Sequence, residues 1–209
     1  MPDKVDLKRT LDAYQAKQGR FRLVEVPDVR YLMIDGHGDP NTSPAFTGAV
    51  EALYPVAYAL KFAARRELDR DFVVMPLEGL WSAPDMDAFT TARDKSRWDW
   101  TLMIMQPDWV DRRMFAAAVE QVRTKGGADR LGDVRFEALS EGLCVQTLHV
   151  GAFDDEAEVL ARLHDEFVPG NGLRTVGRHH EIYLSDLRRV APEKRRTILR
   201  QPVREVVGA

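Results

Sequence analysis

Two stretches of the chain carry the same pattern at a constant separation. Residues 20–38 (RFRLVEVPDVRYLMIDGHG) align without a gap with residues 135–153 (RFEALSEGLCVQTLHVGAF), at an offset of 115 positions. Three aligned pairs are identical and three more are apolar in both stretches: Arg20/Arg135, Phe21/Phe136, Gly36/Gly151, Val24/Leu139, Val29/Cys144 and Met33/Leu148. An internal repeat of this kind predicts one supersecondary unit that is built twice.

The segments that follow the two stretches also correspond. The first stretch is followed by a helical pattern over about residues 44–62, where apolar side chains recur at spacings of three and four. The second is followed by another helical pattern, with a predicted N-cap at Asp154 or Asp155 and an end at Pro169 and Gly170. Each helix precedes two strands, RDFVVMPLEG and RWDWTLMIMQP in the first copy and HHEIYLSD and TILRQPV in the second.

The predicted fold is therefore α+β, with duplicated strand–helix–strand–strand units at residues 20–106 and 135–203. Two such units, related by a pseudo-twofold axis, can place their helices on one side and enclose a ligand cleft where the sheets meet. We predict a single domain over residues 1–209. An N-terminal helical segment is expected at residues 3–18, and a linker helix at residues 108–125 is expected to join the two halves.

Composition and charge exclude several classes of protein. The net charge is −3 and the pI is near 6.0, whereas a dedicated nucleic-acid binder is expected to be basic. Only about twenty residues precede the first strand, too few for a DNA-binding helix-turn-helix. The single cysteine, Cys144, excludes an internal disulfide, and neither a signal peptide nor a membrane span is recognisable. We expect a cytoplasmic monomer or weak dimer without direct contact to nucleic acid or membrane.

The strand within GRHHEIYLSD opens with ionisable residues. Alternation places His179, Glu181 and Tyr183 on one face of the strand, and His180 and Ile182 on the other. In one interpretation this is an edge strand with a solvated outer face. In the other, Glu181 and Tyr183 line a ligand cleft, because Ile182 is expected to face the helices.

All four tryptophans lie between positions 81 and 109. Trp98 and Trp100 share the apolar face of a strand, where core packing competes with a role in binding, and Trp109 follows in QPDWV. Trp81 follows Glu78 in PLEGLW, and a carboxylate beside an indole can form the floor of a pocket for a flat or cationic ligand. The alternative is that Glu78 only satisfies backbone donors in a turn.

The sequence lacks the motifs of other site chemistries. The glycines of DGHGDPN do not form a dinucleotide-binding or phosphate-binding loop. His179 and His180 are adjacent on a strand, so they point to opposite sides and cannot chelate one metal ion. There is no G-x-S-x-G elbow, and Cys144 lies in an apolar run without a nucleophile context. We predict no metal and no cofactor.

Seven segments, in this order and spacing, resemble the GyrI-like small-molecule-binding proteins in their stand-alone two-unit form: DGHGDPN, LYPVAYALKF, PLEGLW, WDWTLMIMQP, VQTLHVGAFDDE, HHEIYLSD and TILRQPV. The resemblance covers nearly the whole chain and implies the duplicated fold of the drug-binding domains of multidrug regulators. It also implies that Glu181 is a buried glutamate that meets cationic aromatic ligands. Some stand-alone members look like hydrolases that open the cyclopropane ring of DNA-alkylating cyclopropanoid toxins. Phe153 stands where this resemblance leads us to expect a tyrosine, so a hydroxyl is lost there.

Two functions are compatible with these residues. In the first, the protein detoxifies planar aromatic or cationic compounds by hydrolysis: cleft aromatics stack the substrate, a tyrosine or histidine hydrogen-bonds its conjugated carbonyl, and a glutamate positions water. In the second, the same cleft sequesters or senses such compounds without changing them. The candidate catalytic residues are Glu181, Tyr183 and Glu78. The candidate ligand-binding residues are Trp81, Trp100, Trp109, Tyr58, His149 and His179.

Overall fold

The structure is a computed structural model that describes residues 4–83, 94–186 and 189–206. The strands are β1 (Lys4–Val5), β2 (Arg22–Val26), β3 (Val29–His37), β4 (Asp71–Phe72), β5 (Leu77–Ser82), β6 (Asp99–Gln106), β7 (Arg135–Leu139), β8 (Gly142–Val150), β9 (Leu173–Thr175), β10 (His179–Tyr183) and β11 (Arg196–Glu205). The helices are α1 (Leu7–Thr10), α2 (Pro44–Leu68), α3 (Arg112–Thr124), α4 (Ala157–Ala161) and α5 (Val168–Gly170), and Arg162–Phe167 forms a π-helical segment between α4 and α5.

The chain forms two compact units that do not coincide with the two sequence copies. The first unit contains the described residues of Met1–Thr10, Val29–Met75 and Ser82–Leu139. Within it, β3 pairs with β6 on one side and with β7 on the other, both antiparallel, and β1 pairs with β4 in parallel. Helix α2 packs on β3 and β6 and against α3.

The second unit contains the described residues of Leu11–Asp28, Pro76–Trp81 and Ser140–Ala209. Its strands pair antiparallel in the order β2–β8–β11–β10–β5, and β9 pairs with β11. The leading strand of each sequence copy therefore pairs with the second strand of the other copy, β2 with β8 and β3 with β7. The predicted α+β class is confirmed, and the superposition of the two copies stays a prediction.

Helix α2 is longer than the predicted segment. It continues past Phe62 to Leu68 because the added residues, AARREL, are mostly good helix formers. It ends where Asp69 adopts a left-handed backbone conformation with φ 52°. The linker helix starts at Arg112 rather than at 108, because the Asp111 side chain caps it by accepting the Met114 amide hydrogen bond at 2.7 Å.

The other helical predictions need correction at their starts. The turns after β8 begin as a 3₁₀ segment at Phe153, ahead of the predicted N-cap, so Asp154 and Asp155 lie inside the first turn. Their negative charges suit that end of a helix. The N-terminal segment is only partly helical: α1 and a 3₁₀ turn at Asp12–Tyr14 follow β1, and residue 3 lies outside the described residues.

Both faces of the second unit's sheet are buried. Val145 and Val203 pack with Leu163, Val168 and Leu173, which places the π-helical segment and α5 over one face. On the opposite face of β8 lies Cys144, which is fully buried as expected, and burial raises the pKa of its thiol to about 12. No helix of the described residues is long and apolar enough to cross a membrane.

Candidate functional site

The pairing of β5 with β10 brings Trp81, Glu181 and Tyr183 onto one face of the sheet. Trp81 lies opposite His179, and Gly79 lies opposite Glu181. Residues directly opposite each other in an antiparallel pair share a face, and alternate residues along a strand share it too. Tyr183 therefore lies on the same face as these residues, which makes this stretch of the second unit the candidate site.

A directed hydrogen-bond chain joins the three side chains. The Trp81 indole nitrogen donates to the Tyr183 hydroxyl at 3.1 Å, and that hydroxyl donates to the Glu181 Oε2 atom at 2.8 Å. An indole can only donate, so it occupies the acceptor side of the hydroxyl and directs the tyrosine proton to Glu181. Burial, followed by the charge of Glu181, raises the pKa of Tyr183 well above its ordinary value. Tyr183 is therefore a hydrogen-bond donor and not a base at neutral pH.

His179 faces the second oxygen of Glu181. Its Nε2 atom lies 3.6 Å from the Glu181 Oε1 atom, and the two side chains are 9% and 13% exposed. Within the described residues, neither ring nitrogen of His179 has a hydrogen-bond partner. A buried polar group that lacks a partner costs about 1–3 kcal/mol, so a native structure keeps one where a further group can satisfy it. The edge of this cluster can accept a water molecule or a polar atom of a ligand.

Gly79 makes room for this arrangement, a role that the sequence prediction missed. A Cβ atom at position 79 would lie 2.8 Å from the Trp81 indole nitrogen and 3.1 Å from the Tyr183 hydroxyl. The indole therefore lies back over its own strand, directly above a residue that has no side chain. PLEGLW contains the signal for this, a glycine two residues before a tryptophan on the same strand face.

The face of β10 that carries Glu181 and Tyr183 lies on the side of the π-helical segment and α5. This corrects the expectation that Ile182 would face the helices. Leu199 lies opposite both Glu181 and Thr147, and Thr147 shares its face with Val145, which packs under the helical turns. The Phe153 ring also contacts the Tyr183 ring edge-on at a centroid distance of 5.6 Å. The expectation failed because the Ile182 face is buried as well: Ile182, His180 and Arg200 on that face are all 0% exposed.

Two histidines of this face have distinct surroundings. His149 Nε2 lies 3.0 Å from the Ala152 carbonyl oxygen, so the side chain fixes the turn after β8. His164, on the π-helical segment, was not among the predicted residues. Burial lowers its pKa to about 4, and the charge of His179 acts in the same direction. His164 is therefore neutral at physiological pH.

Glu78 lies on the opposite face of β5, apart from Glu181. It is fully buried, and its two oxygens accept hydrogen bonds from Tyr14 at 2.5 Å and from His180 at 2.9 Å. Strand alternation alone separates position 78 from positions 79 and 81. The structure thus does not bring the three predicted catalytic residues together: Glu181 and Tyr183 are in contact, and Glu78 belongs to a separate polar cluster.

The remaining predicted ligand-binding residues lie in the first unit. Trp100 is 1% exposed, donates to the Gly38 carbonyl and packs edge-on against Phe46, so it serves the core. Trp109 lies under the Arg70 guanidinium, 5.0 Å from the ring centroid. Tyr58 is 47% exposed on α2 and belongs to an aromatic row with Tyr54 and Phe62, in which neighbouring ring centroids are 6.5 Å apart.

This row borders a groove in the first unit, with a volume of about 350 Å³, between α2, the end of α3 and residues 125–128. Tyr58 and Phe62 line it together with residues such as Pro55 and Lys125. Its size falls within the range of small-molecule sites. Among the described residues, no group of three or more His, Cys, Asp or Glu side chains is placed to hold a metal ion.

Comparison with known proteins gives one family. The GyrI-like small molecule binding domain matches residues 20–204. The chain belongs to the GyrI-like family. A solved structure from Listeria innocua, described as an uncharacterized conserved protein, is 38% identical with a TM-score of 0.87, over 96% of this chain and 100% of its own.

Two further solved structures from Listeria innocua are described as hydrolases. They are 36% and 37% identical to this GyrI-like chain, with TM-scores of 0.83 and 0.85. The alignments cover 96% and 97% of this chain and 100% of theirs. A search of curated proteins found no match.

Proposed function

We propose that this protein binds planar aromatic or cationic small molecules on the Trp81 face and detoxifies them by hydrolysis, by opening the cyclopropane ring of DNA-alkylating cyclopropanoids. The observation that carries the proposal is the set of contacts made by the two carboxyl oxygens of Glu181. One of its oxygens accepts a hydrogen bond from Tyr183, while the other is directed to a buried His179 whose nitrogens have no hydrogen-bond partner among the described residues. Glu181 therefore has one oxygen bound by Tyr183 and a second oxygen 3.6 Å from His179, and this second oxygen suits a water molecule or a ligand cation.

Binding would depend on aromatic surface and charge. Trp81 and Tyr183, which are 4% and 6% exposed, place an indole and a phenol ring beside a carboxylate, and an aromatic cation that reaches them gains from the rings and the charge. Within the first unit, taken by itself, Tyr58 and Trp109 are proposed as aromatic ligand-binding residues. The exposed row at Tyr58 supports this role, since exposed large aromatic side chains that cluster often mark binding surfaces.

The proposed reaction adds one water molecule across a strained carbon–carbon bond. Glu181 accepts a proton from water as the water oxygen bonds to the unsubstituted cyclopropane carbon. The bond between that carbon and the ring junction breaks, and its electron pair moves into the conjugated carbonyl. His179, or Tyr183 after its one proton turns from Glu181 to the ligand, donates a hydrogen bond to the resulting oxyanion, and the proton taken from water returns to that oxyanion. The product is the substrate plus one water, and no oxidant or cofactor is needed.

Three considerations support hydrolysis. Two solved relatives with 36–37% identity are described as hydrolases. The raised pKa of Tyr183 keeps it a donor, which suits it to stabilise a developing oxyanion. Ring strain in the substrate lowers the barrier that the protein must reduce, and a positioned general base adds roughly 10²–10⁴-fold.

The second candidate function is binding without reaction, by which the protein would sequester or sense cationic aromatics. The 13% exposure of Glu181 favours it, because a largely dry carboxylate beside aromatic rings is also a good counter-ion for a ligand cation. In either case we propose a cytoplasmic protein, a monomer or weak dimer, that makes no direct contact with nucleic acid.

A paired assay separates the two functions. Cyclopropanoid turnover is followed by mass spectrometry, and calorimetry measures the affinities for ethidium, a planar aromatic cation, and for phenanthridine, its uncharged parent ring. For a hydrolase, Glu181→Gln lowers turnover by orders of magnitude and leaves substrate affinity within a few fold. For a binder, Glu181→Gln weakens the affinity for ethidium and leaves the affinity for phenanthridine unchanged. Glu25→Gln, an exposed glutamate on β2, is the matched control. Unchanged turnover and affinities in Glu181→Gln would refute both.

A further inference from the structure

The face of the sheet opposite the candidate site carries a buried histidine between two carboxylates. The His180 Nε2 atom lies 2.9 Å from Glu78 Oε2, and its Nδ1 atom lies 3.0 Å from Glu141 Oε1. The side chains of His180 and Glu78 are fully buried, and that of Glu141 is 3% exposed. With both carboxyl groups ionised they can only accept, so both ring nitrogens donate and the imidazole carries both protons.

The neighbours of this triad complete a charge-balanced cluster. Arg200 is fully buried and donates to Glu141 Oε2 at 3.0 Å, so two carboxylates face two cations. The remaining oxygen of Glu78 accepts from Tyr14 at 2.5 Å. Loss of the His180 proton would leave one nitrogen lone pair against a carboxylate and one buried negative charge without compensation, which is costly.

The same cluster holds the segment before β2. Besides the Tyr14 contact, Arg200 donates to the Ala13 carbonyl, and the Gln146 amide donates to the Gln15 carbonyl at 2.9 Å. These hydrogen bonds hold residues 13–15 against the cluster, and Tyr14 is only 5% exposed. The network is therefore closed by protein on every side that the structure describes.

The contact between His180 and Glu78 also fixes the register of β5 against β10. Glu78 lies opposite Ile182 and His180 lies opposite Leu80, so the ion pair joins the two strands diagonally. A slip of β5 by one residue would break this pair and would turn Trp81 away from the face that carries Glu181. The ion pair between His180 and Glu78 on one side of the sheet therefore fixes the position of Trp81 relative to Glu181 on the other side.

We propose that His180 is a positioning residue for the site proposed above: as an imidazolium it holds β5 and β10 in the register that places Trp81 beside Glu181 and Tyr183. The proposal rests on the proposed function only where ligand affinity is measured. The charge state of His180 and the environment of Trp81 can be observed without any ligand.

The proton on His180 is maintained by the groups around it. Burial alone would lower its pKa, but Glu141, by charge and hydrogen bond, and Glu78, by hydrogen bond, outweigh burial and raise the pKa above its ordinary value. Arg200 opposes them in part. Tyr14 reaches the cluster through Glu78, Cys144 on β8 lies near Glu141, and the exposed Glu25 on β2 acts on Cys144 by a smaller charge effect. Removal of the Glu141 charge is therefore the change that most directly lowers the pKa of His180.

The test compares wild type, Glu141→Gln and the control Glu25→Gln at pH 5.5 and pH 8. Nitrogen NMR of histidine-labelled protein, assigned with His180→Gln, reports the protonation of His180. The indole proton resonance of Trp81, assigned with Trp81→Phe, reports its hydrogen bond to Tyr183. Ethidium affinity reports the assembled site.

We expect His180 to be doubly protonated at pH 8 in wild type and in Glu25→Gln, but neutral at pH 8 in Glu141→Gln. The Trp81 resonance of Glu141→Gln should match wild type at pH 5.5 and shift or broaden at pH 8. Its ethidium affinity should be within about threefold of wild type at pH 5.5 and at least about tenfold weaker at pH 8. If Glu141 had a merely structural role, its substitution would change the Trp81 resonance and the ethidium affinity equally at both pH values.

A neutral His180 at pH 8 in wild type would overturn the proposal. So would a Trp81 resonance in Glu141→Gln that is the same at both pH values, or that differs from wild type equally at both. If wild type binds no ethidium at either pH, the proposed function fails, and the two ligand-free resonances still decide the positioning role.

Discussion

The acid dependence of stability should contain a large contribution from Glu141. Burial by itself would raise the pKa of this carboxyl, but His180 and Arg200, through their charges and hydrogen bonds, lower it from 4.5 to about 2. A folded-state pKa below the unfolded one gives stability that is present above pH 4.5 and is lost as the pH falls towards 2. The full contribution is about 3 kcal/mol, and about 2 kcal/mol of it should be lost between pH 6 and pH 3.

Urea unfolding of wild type and Glu141→Gln at pH 6 and pH 3 tests this magnitude. The variant should be less stable at pH 6 by about 3–5 kcal/mol, because His180 and Arg200 lose their shared partner. Its free energy of unfolding should then fall by about 2 kcal/mol less than that of wild type on going to pH 3. Glu25→Gln should keep the wild-type pH dependence. An identical fall in wild type and Glu141→Gln would refute the reasoning.

Three further substitutions test the packing and polarity of the candidate site. Gly79→Ala should push the indole off its strand and destabilise the fold by about 1–3 kcal/mol, seen by urea unfolding; an unchanged midpoint would contradict the close approach. Trp81→Ala should weaken ethidium binding, measured by fluorescence titration, by about 0.5–2 kcal/mol more than the lost contact area alone accounts for. Trp98→Ala is the control and should leave ethidium binding unchanged. Tyr183→Phe should lower kcat for a cyclopropanoid roughly 10²-fold with little change in KM, and an unaltered kcat would remove Tyr183 from the chemistry.

The sequence predicted the fold class well because its signals were local and periodic. The apolar spacing of α2 and the alternation of most strands appear where they were expected. The errors lie at the ends of elements and in RDFVVMPLEG, which was predicted as one strand but is interrupted at residues 73–76 between β4 and β5. Those errors have physical causes, such as the capping of α3 by Asp111 and the strong helix propensity after Phe62. The pairing of β2 with β8 could not be predicted, because it depends on contacts between distant parts of the chain.

The candidate site was predicted in part. Alternation correctly grouped Glu181 with Tyr183, and the same rule applied to PLEGLW would have separated Glu78 from Trp81. The Trp81–Tyr183 contact depends on the register between two strands about 100 residues apart in sequence, which no local pattern fixes. Glu141 and Arg200 were missed for a similar reason, since a buried ion cluster looks like ordinary surface charge until its members are brought together.

Wild-type protein and Glu181→Gln, each incubated with a cyclopropanoid in ¹⁸O-labelled water, give the most direct test of the central claim. Mass spectrometry then follows the substrate and its product. The account predicts that wild type yields a product heavier than the substrate by one labelled water, with the ¹⁸O on the former ring carbon. Glu181→Gln should bind the same compound within a few fold and form this product orders of magnitude more slowly. Labelled product formed equally fast by both proteins would contradict the assignment of Glu181, and substrate returned unchanged by wild type would show that the site only binds.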